Sequence, residues 1–261
     1  MTTLNSGLSK KNLLPERKEI CGRKKKFAPK KNFRHYTRPN NRLKLKITND
    51  KVCTMIGIVD YNAGNITSVE RALKALGADY VLSKNPADLK NVQKIIFPGV
   101  GEASYAMGQL KKTGFDSFIK DFVASGKQMM GICLGAQIVF DFSEEGDTEC
   151  LGLIPGKIRH FSSLWKEQGV EPLKVPNMGW HDISFFNGGS RFFKDVRSDA
   201  SFYFVHSYVI QPEENSVIKA CADYGIKVPC VIEKDNISVF QFHPEKSGRA
   251  GMQILKNFIA E

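Results

Sequence analysis

Cys133 stands in Gly131-Ile132-Cys133-Leu134-Gly135, a G-x-C-x-G motif between an apolar run and a helix-period stretch. A nucleophile at a sharp strand-to-helix turn sits on strained backbone, and small neighbours let a substrate approach it. A helix starting at Leu134 aims its positive end at the sulfur, which favours thiolate over thiol. The backbone N–H of Leu134 faces the same point and is a candidate oxyanion donor. The same five residues also fit a buried structural cysteine in a glycine-rich turn.

A thiol nucleophile needs a base to activate it and an acid to protonate the leaving group. Phe242-His243-Pro244-Glu245 supplies a candidate. His243 and Glu245, two residues apart at the end of an apolar strand, point to one side. Glu245 is then placed to fix the imidazole tautomer, as the third member of a triad does. Pro244 stiffens the link and ends ladder pairing. Alone, the pair reads first as a strand-end histidine beside a solvated glutamate; with the cysteine motif it is far more specific. Pro98-Gly99-Val100-Gly101 follows another apolar run, and its glycines leave a backbone N–H free to turn inward. Beside a nucleophile elbow that loop is a candidate second oxyanion donor, through Val100 or Gly101.

These residues require elements that converge. Met55 to Tyr61 reads as a strand, followed by a helix capped by Asn65, with Ile66, Val69, Leu73 and Leu76 at helical spacing and Gly77 as its stop. Strands are expected at Tyr80–Ser83, Lys94–Phe97 and Gln128–Ile132, and helices at about 103–111, 115–125 and Leu134–Phe142. Alternation of this kind means a largely parallel sheet with helices on both faces. From about 153 strands dominate: Lys157–Phe161, Asp182–Phe185, Phe202–Ile210, Val217–Cys221, Val228–Glu233 and Ile237–Phe242. Asp235-Asn236 between the last two is a hairpin signal, and a helix at about 248–259 closes the chain. The expected fold is α/β, flavodoxin-like, with added antiparallel strands in its second half.

The net charge of +11 is unevenly spread over the 261 residues: residues 1–51 carry +13 and the remainder −2. A core near neutrality has no electrostatic footprint for nucleic acid. No apolar run reaches the ~18 residues of a membrane span. The six cysteines include no C-x-x-C pair, which leaves zinc and dithiol-redox readings without support and fits reduced thiols in a cytoplasmic setting. Residues 1–54 are expected to be a basic extension too polar to form a core, and 55–261 one domain. Three readings of the extension are open: an arm for nucleic acid or an acidic partner, a transit peptide, or upstream sequence read from too early a start. Met55, directly before a clean strand, favours the last.

The motifs at 98–101, at 131–137 (Gly-Ile-Cys-Leu-Gly-Ala-Gln) and at 240–246 (Phe-Gln-Phe-His-Pro-Glu-Lys) resemble, in order and spacing, those of the class I (triad) glutamine amidotransferases. Tyr61-Asn62-Ala63-Gly64-Asn65, Pro176-Asn177-Met178-Gly179-Trp180 and Phe204-Val205-His206-Ser207-Tyr208 narrow the resemblance to the glutaminase subunits of imidazole glycerol phosphate synthases. The resemblance covers 55–261 and none of 1–54. It implies Cys133 as nucleophile, His243 as base and acid, and Glu245 as orienter. It implies oxyanion donors at Leu134, Val100 and Gly101, and glutamine contacts at Gly99, Gln137, Ser207 and Tyr208. It implies a partner interface at Asn65, Pro176, Met178, Trp180 and Lys246. The implied partner is a (β/α)8-barrel cyclase subunit in a heterodimer. The cyclase would use the ammonia to make imidazole glycerol phosphate and an aminoimidazole carboxamide ribonucleotide in histidine biosynthesis. No cofactor or metal is implied.

His181, where these proteins often carry Asn, leaves room for a paralogue feeding another synthase, such as one that aminates a surface sugar. His181 itself reads as a solvated strand start. Two further rivals are a cysteine peptidase or chaperone-like protein on the same elbow, and a scaffold whose basic arm does the binding. Gln137 and the His243-x-Glu245 spacing argue against the first, and an intact nucleophile, base and orienter against the second.

Overall fold

The computed structural model describes residues 54–261 and the two-residue strand Arg34–His35. The expectations for residues 1–53 otherwise fall outside the described residues. All described residues belong to one compact unit, Phe33–Glu261.

In chain order the elements are β1 (Arg34–His35), β2 (Met55–Val59), α1 (Ile66–Leu76), β3 (Asp79–Ser83), β4 (Lys94–Gly99), α2 (Ala103–Thr113), α3 (Phe115–Ala124), β5 (Gln128–Cys133) and α4 (Leu134–Gln137). Then come β6 (Phe142–Ser143), β7 (Thr148–Glu149), β8 (Gly156–His160), α5 (Phe161–Gln168), β9 (Asn177–Phe185), β10 (Ser201–His206), β11 (Tyr208–Pro212), β12 (Ile218–Asp223), β13 (Lys227–Lys234), β14 (Ile237–Phe240) and α6 (Gly248–Ala260). The main sheet runs β1-β3-β2-β4-β5-β14-β13-β12-β9-β10, and a smaller one runs β11-β8-β6-β7. Strands β3, β2, β4, β5 and β14 pair in parallel, while β13, β12, β9 and β10 continue antiparallel.

Strand alternation divides the core into two layers. Ile95, Phe97, Met129 and Val239 pack with α2 and α3 on one face; Ile56, Ile58, Ile96, Met130 and Phe240 pack with α1, α5 and α6 on the other. Carboxyl ends of neighbouring parallel strands are where open α/β sheets place their sites, and the Gly99 end of β4 pairs with Cys133 at the end of β5.

Four local expectations need correction. The helix expected over Leu134–Phe142 is the single turn Leu134–Gln137. Ile138, Val139 and Phe140 are fully buried and their carbonyls accept from Leu151, Leu153, Ile154 and Gly152 N–H instead, which ends the helical ladder. The run expected as one strand at Phe202–Ile210 is β10 and β11, broken at Ser207 and belonging to different sheets. The strand-dominated stretch expected from about 153 also holds a helix, α5; its Trp165 is buried, stacks on Phe161 at 5.0 Å and donates to the Tyr224 carbonyl at 3.3 Å. Asn65 does occupy the N-cap of α1, yet its side chain accepts from the Ser68 hydroxyl at 3.2 Å and caps no backbone N–H.

Candidate active site

Cys133 closes β5 with φ 55° and ψ −113°, a left-handed conformation for a residue that carries a Cβ. Such backbone persists only where its surroundings force it, at a cost of roughly 1–3 kcal/mol. Here the glycines force it. A side chain on Gly135 would collide with the Phe97 carbonyl oxygen, and one on Gly131 would stand 2.8 Å from the Gly135 carbonyl oxygen. The turn therefore closes tightly against β4 and lifts the thiol out of the sheet. The sulfur is 3.8 Å from the Val205 carbonyl oxygen of β10, which accepts its S–H. Because α4 is one turn long, its field on the sulfur comes from the first N–H groups and not from a full helix.

His243 is brought to the same place just past the end of β14. Its backbone N–H donates to the Tyr203 carbonyl at 3.0 Å, and Ser247 Oγ donates to the His243 carbonyl at 2.6 Å while accepting from Tyr203 N–H at 3.0 Å. These bonds lock the loop to β10. The ring Nδ1–H donates to Glu245 Oε1 at 2.8 Å, with the two side chains 2% and 1% exposed. That bond fixes the tautomer and frees Nε2, which has no partner among the described residues. Burial alone would lower the imidazole pKa. Cys133 and Glu245 outweigh burial and raise it to about 9.

A cavity of about 360 Å3 opens beside the sulfur. It gathers Cys133, Leu134, His243, Val100, Gly101, Gln137, Ser207, Tyr208, Pro176 and Lys246, residues expected from the sequence to be near the chemistry. Gly99 does not line it: Gly99 lies behind, where a Cβ would stand 2.5 Å from Gly135 N and 2.9 Å from Leu134 Cβ. There its lack of a side chain admits the elbow. Asn65 also lies outside the cavity, as do Met178 and Trp180, which are 61% and 56% exposed on the outer side of β9.

Three lining residues carried no site expectation: Glu145, Val205 and His206. Glu145 comes from the loop after β6, at a position with no periodic signal. Its Oε2 accepts from Ala103 N–H at 2.8 Å, and burial raises its pKa. His206 is buried, and burial lowers its pKa to about 4. Neutral, its Nδ1–H donates to the Tyr208 carbonyl at 2.7 Å and its Nε2 accepts from Asn177 at 3.2 Å. The Gln137 side-chain amide donates to that same carbonyl at 3.2 Å and to Gln241 Oε1 at 2.9 Å. His206 and Gln137 together hold the 206–208 wall. His181, expected at a solvated strand start, instead lies mid-strand with its Nε2 buried and unpartnered among the described residues, against Phe204 and Tyr224.

The arrangement is a thiol on a strained elbow, a buried imidazole oriented by a carboxylate, and a cavity sized for a small molecule. It suits acyl transfer from an amide through a thioester. Residues 57–261 match the family model described as "Glutamine amidotransferase class-I". The chain is 45% identical over 206 residues to "Imidazole glycerol phosphate synthase subunit HisH" of Nitratidesulfovibrio vulgaris (strain DSM 19637 / Miyazaki F), covering 79% of this chain and 96% of that protein. The protein of the same name from Bacillus subtilis (strain 168) is 43% identical over 205 residues, covering 78% and 95%. Among solved structures, "Crystal structure of glutamine amidotransferase" aligns with a TM-score of 0.59 at 17% identity, covering 78% of this chain and 98% of that one. "Structure of PurLQS from Thermotoga maritima" gives a TM-score of 0.59 at 16% identity, covering 79% and 97%. At those identities the structures speak for the fold alone.

Proposed function

Because this chain belongs to the class I glutamine amidotransferases, we propose that it is the glutaminase subunit of an imidazole glycerol phosphate synthase and supplies that enzyme with ammonia in histidine biosynthesis. The carrying observation is the meeting of Cys133 and His243 at one cavity, with Glu245 hydrogen-bonded to the far side of the imidazole, within a chain matching nearly the whole length of its relatives.

Glutamine enters as a zwitterion with an amide at its far end. Cys133 sulfur attacks the amide carbon, its proton passing to His243 Nε2. The C–O bond electrons move onto the oxygen, which rests on the Leu134 N–H and on an N–H of the 99–101 segment. The tetrahedral adduct collapses by breaking C–N, and His243 gives its proton to the nitrogen, which departs as ammonia. A water then attacks the thioester with its proton going to His243. Glutamate leaves, and the thiol regains that proton. Glu245 holds the imidazole in the tautomer each transfer needs. Glu145 is the carboxylate available to the substrate's ammonium group, and the 206–208 wall offers its backbone to the substrate's carboxylate end.

Removing one oxyanion donor costs about 10²–10³ in rate. Inward rotation of the Gly99–Val100 peptide is therefore a switch that holds hydrolysis low until the synthase is loaded. The partner in this reading is a (β/α)8-barrel cyclase in a heterodimer, docked over Met178, Trp180, Pro176 and Lys246 at the cavity mouth. The reading includes a cytoplasmic setting, where a reactive thiol stays reduced; among the described residues no helix is long and apolar enough to cross a membrane. His181 packs inward, so it gives no support to a different synthase partner.

The test is glutamate release from glutamine by the chain alone and with the cyclase subunit plus its ribonucleotide ligand. Strong stimulation by the loaded subunit is expected. Cys133→Ala should abolish glutamine-dependent synthesis by the complex and spare ammonia-dependent synthesis. Loss of both activities, or hydrolysis indifferent to the subunit, would sink this assignment.

A further inference from the structure

Tyr61 lies two residues past β2, and its ring is fully buried against Phe97 at 5.3 Å. Its hydroxyl has no hydrogen-bond partner among the described residues. A buried donor without an acceptor is costly, and structures keep one only where something repays it. The hydroxyl oxygen lies 2.7 Å from where a Cβ on Gly99 would stand, so it sits against the first residue of the Gly99–Val100 peptide. Burial, and after it the neighbouring Cys133, pushes the phenol far above its ordinary pKa, so the group remains a donor.

The strand shows which acceptor is missing. The Pro98 carbonyl lies on the side of Gly64, where a Cβ would be 3.4 Å from its oxygen. Successive carbonyls of a strand alternate between its two neighbours, so the next carbonyl, of Gly99, is directed to the opposite side, toward Cys133 at the end of β5. Turning the Gly99–Val100 peptide over brings the Val100 N–H to the nucleophile. The same rotation swings the Gly99 carbonyl away, toward Tyr61. Gly99 supplies the free dihedral on one side of this peptide, and Gly101 (φ +100°), the residue after Val100, has nothing within 4 Å of a built Cβ, so the chain beyond the peptide has room to adjust.

We propose that Tyr61 is a positioning residue for the glutaminase reaction: its hydroxyl is the built-in hydrogen-bond donor to the Gly99 carbonyl in the rotated, oxyanion-ready state. The proposal rests on the glutaminase-subunit reading and deepens it. One hydroxyl is unpaired in the resting enzyme and paired in the stimulated one. Tyr61 therefore favours the rotated peptide without touching glutamine.

Tyr61→Phe in the full chain tests this, assayed in complex with the cyclase subunit and its ribonucleotide ligand. The expected result is a fall of at least tenfold in stimulated glutaminase kcat. KM for glutamine and ammonia-dependent synthesis should stay within twofold, and the thermal midpoint of the free chain should be no lower, since the variant removes an unpaired buried donor. Stimulated kcat equal to wild type overturns the proposal. A fall in kcat accompanied by a lower thermal midpoint overturns it too, because the hydroxyl then serves the resting fold. A wild-type chain that fails to hydrolyse glutamine defeats the glutaminase reading itself, whereas a responsive wild type with an equally responsive variant defeats only the role of Tyr61.

Discussion

At His243 two neighbours decide the charge of a buried ring. Burial opposes the imidazolium, and Cys133 with Glu245 restores it, taking the pKa to about 9. A pKa raised on folding contributes stability that is fully present below the unfolded value of ~6.5 and is lost as pH rises through the folded value. Glu245→Gln removes one of the two groups that raise it. The variant's ring should titrate well below 9, followed by the imidazole Cε1 proton resonance. The thermal-midpoint advantage of wild type over the variant should be constant below pH 6.5 and shrink between pH 6.5 and 9. A gap that does not change across that window would show that Glu245 orients the ring without setting its charge. The chemistry of this pair was legible because it is local: two residues apart, on one side, with Pro244 between them. Glu145 was not legible, since nothing in the loop after β6 marks a carboxylate that folds back over a cavity built by β5 and β10.

Among the elements, α6 is the one on which the triad leans from behind. Gly251 packs so closely on the Pro244 carbonyl that any side chain there would collide with it. Gly251→Ala should push α6 and the 243–245 loop apart, costing about 1–3 kcal/mol as overpacking does. Glutaminase kcat should fall at least tenfold, with KM for glutamine little changed. Gly108, inside α2 with nothing within 4 Å of a built Cβ, is the control. Gly108→Ala should be neutral or stabilising by about 0.5–1 kcal/mol, with wild-type turnover. Equal kcat in the Gly251 variant would mean that the loop is held by Ser247 and Tyr203 alone. The elements themselves were readable where period and punctuation agree, as in α1, where Gly77 ends the helix in the left-handed conformation with N–H bonds to Leu73 and Lys74. They were misread where tertiary contacts overrule the pattern. Ile138–Phe140 continue a helical spacing yet give their carbonyls to residues 151–154, and Ser207 splits the largely apolar 202–210 run between two sheets.

Across the whole molecule, spacing along the chain does not say that β14 inserts between β5 and β13, and that insertion is what carries His243 to Cys133. Strand order is settled by burial on both faces, a property of the assembled sheet. The same assembly leaves an apolar surface beside the site. Along β9 the inner residues Asn177, His181 and Ile183 face the core while Met178 and Trp180 face outward. Trp180 lies edge-on to Tyr203 at 6.0 Å, Lys246 Nζ sits 5.9 Å from the Tyr203 ring centroid, and Tyr203 is 6.4 Å from the His243 ring. A partner covering Trp180 therefore sits within one side chain of the leaving ammonia. Large aromatic side chains at the centre of an interface commonly cost 2 kcal/mol or more when truncated, about 30-fold in affinity. Trp180→Ala should weaken binding to the cyclase subunit by that amount in calorimetric titration, and its exposure should hold the stability of the free chain within about 0.5 kcal/mol of wild type. Phe186, 39% exposed just past the far end of the nine-residue β9, lies roughly 20 Å of strand away from Trp180, and Phe186→Ala should leave the affinity unchanged. If Phe186 and not Trp180 proves necessary, the partner docks at the other end of β9, and ammonia released at Cys133 would have to cross open solvent to reach it.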